Sequence, residues 1–171
     1  MRGNLHDVFV IKQILYLYSI INIIPKIVKD MIIHQLSIFL ENKSGRLTEV
    51  LEVLGKENFR ITALSVADTA EFGILRLIVS DPERARDLLK KQNFTVNFTE
   101  VISVMAPNEA KHYAKILRIL SDLDISVEYT YAFSVGDKSI IILRCSNTDK
   151  AIQALKSHEM ELLKASDLYK I

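Results

Sequence analysis

The residues best placed to do chemistry stand in one short run, Glu41-Asn42-Lys43-Ser44-Gly45-Arg46-Leu47. It separates an apolar, strand-like stretch from an amphipathic helical pattern. Glycine allows positive φ and lets a ligand approach the backbone. Asn42 or Ser44 can cap the helix. The first unpaired amides, Gly45 to Leu47, would then point outward at the positive end of the helix dipole, which suits a carboxylate. The chemistry on offer is anion binding by backbone N–H groups. A capped strand-to-helix turn with no ligand accounts for the same residues, and capped turns outnumber anion sites.

Little else in the chain offers a reaction. Cys145 is the single cysteine, which excludes an intramolecular disulfide framework and a Cys-based zinc site. It fits a reducing, cytoplasmic setting. Cys145 lies in an apolar run and reads as a buried thiol. The four histidines, His6, His34, His112 and His158, are scattered. No G-x-S-x-G, H-E-x-x-H, P-loop or G-x-G-x-x-G occurs. Arg46 could serve the anion-cradling loop of a small phosphatase only by analogy. The expectation is a non-enzyme with no cofactor and no metal. Arg84, Arg86, Lys90 and Lys91 alternate with Glu83 and Asp87 on a helix, a solvated face. Lys+Arg number 22 and Asp+Glu 21, without a basic block, so a nucleic-acid partner is not expected.

The elements that must position the loop come from a 171-residue chain, 49% hydrophobic and 25% charged, an ordinary globular mixture. Residues 1–30 stand apart, with seven isoleucines, no alanine and a net charge of +2. Their apolar run, Val8–Ile24, contains Lys12, Gln13 and Asn22, and is short and polar for a membrane span. No A-x-A cleavage site follows it. Residues 1–30 are expected to be an upstream stretch preceding a start at Met31, or an added amphipathic helix, with a membrane anchor the least favoured reading.

A shift of 66 residues aligns Ile32–Val96 with the following segment without a gap, with ten identities including Ser37/Ser103, Asn42/Asn108 and Ile74/Ile140. Leu47, Val50, Leu51 and Leu54 become Tyr113, Ile116, Leu117 and Leu120, both one face of a helix. Each repeat reads as strand, loop, helix, strand, turn, strand, helix and short strand. The strands of the first copy are Leu36–Leu40, Arg60–Ala67, Phe72–Val79 and Phe94–Phe98. Those of the second are Val101–Met105, Ser126–Phe133, Ser139–Cys145 and Met160–Leu163. Gly136-Asp137 signals a hairpin, Asp81-Pro82 opens a helix, and Asn147 or Thr148 caps its counterpart. The predicted class is α+β, two tandem ferredoxin-like βαββαβ units with antiparallel sheets, over residues 31–97 and 98–171. Strand four of the first runs into strand one of the second near Phe98–Val101, so the units should pack together. Edge or sheet pairing could build a dimer.

The loop and the duplicated unit resemble the ACT domain, an amino-acid-sensing module whose loop usually reads Asp/Asn-x-Pro-Gly-x-Leu. Asn42, Gly45 and Leu47 are in register, with Ser44 where Pro is common. Ala63–Arg76 and Val127–Phe133 further resemble stand-alone tandem ACT proteins, and the resemblance covers residues 31–171. It implies a site between domains, where the loop meets the carboxylate and amino group of a free amino acid and a facing second strand closes it. Carried over, the loop is Asn42, Ser44, Gly45, Arg46 and Leu47, and the closing strand is Ile61, Thr62, Ala63, Leu64 and Ser65. The second copy keeps Asn108 but has Lys111 and Tyr113 in place of Gly45 and Leu47, which leaves one competent site type. Repeat two is structural or lends the closing strand, where Tyr129, Tyr131 and Phe133 match Ala63, Ser65 and Ala67; those aromatics read first as core. Two functions follow. One is a non-catalytic, allosteric sensor in amino-acid metabolism that binds a branched-chain or aromatic amino acid, forms a homodimer and signals to an enzyme. The other is a regulatory subunit or scaffold, like the acetolactate synthase small subunit, with no ligand of its own.

Overall fold

The computed structural model describes residues 28–68 and 72–171. The expectations for residues 1–27 and for most of the Asp68–Glu71 turn fall outside the described residues. Unit one comprises β1 (Ile33–Glu41), α1 (Arg46–Lys56), β2 (Ile61–Asp68), β3 (Phe72–Val79), α2 (Pro82–Lys91) and the first half of β4 (Thr95–Pro107). Unit two comprises the second half of β4, α3 (Ala110–Ser121), β5 (Val127–Val135), β6 (Lys138–Cys145), α4 (Thr148–Ser157) and β7 (Glu161–Leu162); a short α5 (Ala165–Leu168) follows. The class is α+β, and both units have the expected βαββαβ order.

The strands form one sheet in the order β2-β3-β1-β4-β6-β5, with β7 also beside β4. All pairings are antiparallel. β4 joins the units. Its Thr95–Val101 half pairs with β1 and its Ile102–Pro107 half with β6. The domain boundary drawn at residues 97/98 therefore lies inside one unbroken strand.

Local chemistry sets the ends of the elements. Asp81 accepts from the Arg84 amide, and Pro82 occupies the first helical turn, where a missing N–H costs nothing. Asn147 accepts from the Lys150 amide at the start of α4. Gly136 (φ +63°) opens the two-residue hairpin loop between Val135 and Lys138, where positive φ is required. The helices exit through left-handed residues that repeat the internal symmetry: Asn58 matches Asp124 and Asn93 matches Glu159, each pair 66 residues apart.

Strand alternation builds three apolar clusters. In unit one Leu36, Ile38 and Leu40 of β1 and Leu75, Leu77 and Val79 of β3 face Val50 and Leu54 of α1 and Ala85 and Leu89 of α2. In unit two Ile102, Val104 and Ala106 of β4 face Ile116 and Leu120 of α3 and Ile152 and Leu155 of α4, with Val28 and Met31 in the same cluster. The third cluster contains no residue of α1–α4. Ile33, Ala63 and Ile78 of unit one meet Ile140, Ile142, Tyr129, Tyr131 and Phe133 of unit two, with Leu168 between them. The sheet thus folds over along β4 and buries the two helix-free faces against each other. Each fully buried Ile or Leu there is worth about 1.5–3 kcal/mol, the cover that a 65-residue unit cannot supply alone.

Candidate functional site

The loop after β1 begins with a tight bend. The Lys43 amide donates to the Glu41 carbonyl at 2.7 Å, and Lys43 Nζ lies 2.7 Å from the Glu41 carboxylate. That ammonium group holds the Glu41 carboxyl below its ordinary value, with a smaller contribution from Arg46. Gly45 then adopts φ +90°, ψ −21°, and a side chain there would meet nothing within 4 Å. The left-handed backbone, not a shortage of room, is what favours glycine.

Two expectations for this loop are corrected. Neither Asn42 nor Ser44 caps α1: the helix starts at Arg46, so the cap position falls to Gly45, which has no side chain to offer. Nor are all of the Gly45–Leu47 amides available, because the Arg46 amide closes on the Lys43 carbonyl at 3.3 Å. Among the described residues no backbone carbonyl accepts from the Leu47 or Thr48 amide in the first turn. Asn42 makes an interaction of its own.

The Arg46 side chain turns from the loop toward α2. It pairs with Glu49 and lies over the Phe94 ring, 5.2 Å from its centroid. Its guanidinium lines a shallow groove of about 220 Å³ with Glu49, Glu52, Val53, Lys56, Gln92 and Phe94. Opposite charges balance there, so Arg46 offers the loop its backbone only.

The closing strand does not reach the loop within one chain. Glu41 pairs with Phe72, whereas Ile61 pairs with Val79. Seven steps along β3 separate Phe72 from Val79, roughly 23 Å of strand, and Ser65, opposite Arg76, is still about 13 Å along it. Thr62 donates its hydroxyl to the Leu168 carbonyl at 3.2 Å, and Ala63 is buried in the third cluster. Ser65 is half-buried beside Arg76. Ile61 and Leu64 remain exposed, with Val66, on the terminal strand of the sheet.

The second copy of the loop is built differently. Its helix starts at Ala110, 64 residues after Arg46 and so two short of the repeat. Glu109 caps it with extended backbone, φ −131°. The Ser139 hydroxyl donates to Asn108 Oδ1 at 3.1 Å, which fastens the loop to the sheet. Lys111 bends back onto Glu109 at 2.6 Å. The left-handed bend of Gly45 has no counterpart.

Tyr129, Tyr131 and Phe133 pack in the core between the units, as the first reading of them held. Their strand cannot close a site against its own chain's unit one, because that face is already filled. Sequence reasoning missed Gln35, a fully buried residue that meets both tyrosines. A lone glutamine amid apolar strand residues was the available signal.

Cys145 is buried, and burial pushes its thiol up to about 11, the opposite of an activated nucleophile. No group of His, Cys, Asp and Glu that could hold a metal occurs among the described residues. Among those residues no helix is long and apolar enough to cross a membrane.

No curated protein matches the chain. Among solved structures, protein BT0572 from Bacteroides thetaiotaomicron is 51% identical, covering 82% of this chain and 98% of that one, with a TM-score of 0.80. The ligand-free regulatory subunit of aspartate kinase from Thermus thermophilus superposes with a TM-score of 0.54 at 11% identity, over 74% of this chain and 93% of that one. Its Thermus flavus counterpart gives 0.50 at 12%, over 73% and 92%. At those identities the likeness to the kinase subunits is one of fold. The ACT domain pair family matches residues 31–171, the two units described above, and the chain belongs to that family.

Proposed function

We propose that this chain is a non-catalytic regulatory protein that binds a free amino acid at the loop between β1 and α1 and passes its occupancy to an enzyme of amino-acid metabolism. The observation that carries this reading is the bend at Gly45. Its left-handed backbone leads into the first turn of α1, where among the described residues no backbone carbonyl of the loop accepts from the Leu47 or Thr48 N–H. An α-carboxylate is the complement of that arrangement. Asn42, Ser44 and Leu47 border it. The similarity in fold to regulatory subunits of aspartate kinase supports the regulatory role.

Closure requires a second copy. Ile61–Ser65 pair with Val79–Arg76, so roughly 13–23 Å of strand separates them from the loop of their own chain, and a partner's β2 is the strand that would close it. The outer edge of β2 invites such pairing, since Ile61, Leu64 and Val66 are exposed and no charged side chain interrupts Ile61–Ala67. The edge at β5 carries Glu128 and Thr130 instead. A homodimer through β2 is therefore part of the reading. The apolar rim of Leu47, Leu64 and Val66 favours a branched-chain or aromatic amino acid, and the single buried thiol fits a cytoplasmic setting.

The same exposed strand supports a second reading, an assembly scaffold that needs no ligand. Titration of ¹⁵N-labelled protein with leucine, valine and phenylalanine separates the two. Sensing predicts saturable shifts of the Leu47 and Thr48 amides together with Ile61–Leu64. Unmoved loop amides in a protein that still dimerises through β2 would leave the scaffold.

A further inference from the structure

One polar island lies between the two helix-free faces. Gln35 of β1 is fully buried. Its Nε2 donates to Tyr129 Oη at 2.9 Å and to Ser37 Oγ at 3.2 Å. Its Oε1 accepts from Tyr131 Oη at 2.9 Å. Ser37 shares a further bond of 2.8 Å with Thr99, and the Arg76 guanidinium sits 4.0 Å over the Tyr129 ring. The surroundings are apolar: Ile33, Ala63, Ile78, Ile140 and Ile142.

Apolar contact between two sheets has no preferred direction, and a small slide or rotation would cost it little. A carboxamide held between two phenols tolerates one geometry. Any other leaves buried donors and acceptors unpaired, at their full desolvation penalty. The best-attested service of a buried polar group in an apolar interface is to fix register.

We propose that Gln35, Tyr129 and Tyr131 form a registry clamp that selects one orientation between the two units, so that the pair moves as a single body. Only β4 connects the units covalently, and the α5 turn adds bonds at one end of the interface, from the His34 amide to Tyr169 and from Thr62 to the Leu168 carbonyl; the Gln35 group supplies the directional bonds between the sheets themselves. The clamp also lies on the strand that leads to the loop, six residues before Glu41. A displacement of β1 at the loop would therefore be felt by β5 in unit two.

The test uses the full chain and no ligand. The triple variant Gln35→Leu, Tyr129→Phe, Tyr131→Phe removes the Gln35–tyrosine bonds while nearly conserving volume. Replacing both partners of a buried bond by apolar groups is close to neutral, so melting should stay near the native temperature. The clamp predicts doubled or broadened amide resonances in β1 and β5. It also predicts hydrogen exchange in Val127–Val135 faster by about tenfold or more, with α1 and α3 unchanged. One sharp set of resonances at native positions with native exchange in β5 would overturn it. Should the triple variant fail to fold, Tyr131→Phe alone decides. Faster exchange confined to β1 and β5 supports the clamp, and an equal rise in the helices refutes it.

Discussion

The Tyr169 hydroxyl accepts the backbone N–H of His34 at 2.8 Å, across 135 positions of sequence. With the bond from Thr62 to the Leu168 carbonyl, it straps the α5 turn of unit two onto the first two strands of unit one. Leu168 is fully buried in the cluster between the faces. Leu168→Ala should cost about 2–5 kcal/mol, and Tyr169→Phe about 1 kcal/mol, since it leaves a backbone N–H unpaired. Urea unfolding checks both. A loss at Leu168 under about 0.5 kcal/mol would mean that the turn merely rests on the surface.

At Gly45 the strain is conformational, because a Cβ there meets nothing within 4 Å. Gly45→Ala and Gly45→Val should destabilise by about 1–2 kcal/mol through the left-handed backbone, and Gly45→Asn by less. Thermal unfolding should rank them Gly, Asn, Ala, Val. Equal stability of all four would mean that the loop relaxes to negative φ.

Glu159 pays the same penalty where glycine is absent. It holds φ +57° after α4, in the position that Asn93 fills after α2. Asparagine tolerates that region better than glutamate. Glu159→Gly should therefore gain about 0.5–1 kcal/mol, and Asn93→Gly distinctly less. The comparison is a pair of urea curves, and a larger gain at Asn93 would contradict it.

Alkaline pH should weaken the fold. Burial raises the Cys145 thiol from 9.0 to about 11. The unfolded thiol ionises first, so the stability held by the neutral thiol is full below pH 9 and is lost as pH rises through about 11. Tyr131, raised for the same reason, adds to the loss at the upper end. The stability advantage of the native chain over Cys145→Ala should shrink across that window. A constant difference would mean that the thiol ionises freely in the folded protein.

Much of this architecture was legible in the sequence because it is local. Asp81-Pro82, Asn147 and Gly136-Asp137 each report chemistry within a few residues, the 66-residue repeat is a pattern read directly along the chain, and the structure has them as read. The continuity of β4 followed from the missing linker. The start of α1 was misplaced because Asn42 and Ser44 are good caps by type, whereas the left-handed bend delays the helix until Arg46. The Gln35 contacts were invisible because its partners lie 94 and 96 residues away. They meet only when the sheet folds over, which alternation along a strand does not encode.

The central claim is that the Gly45 bend holds the carboxylate of a free amino acid. A thermal-shift panel of the twenty amino acids against the native chain and Gly45→Val tests it most directly. A ligand at a hundred times its Kd should stabilise the native protein by about 2.7 kcal/mol. The account predicts that shift for at least one branched-chain or aromatic amino acid, and its loss in Gly45→Val. Silence across the panel, or an undiminished shift in Gly45→Val, would contradict it.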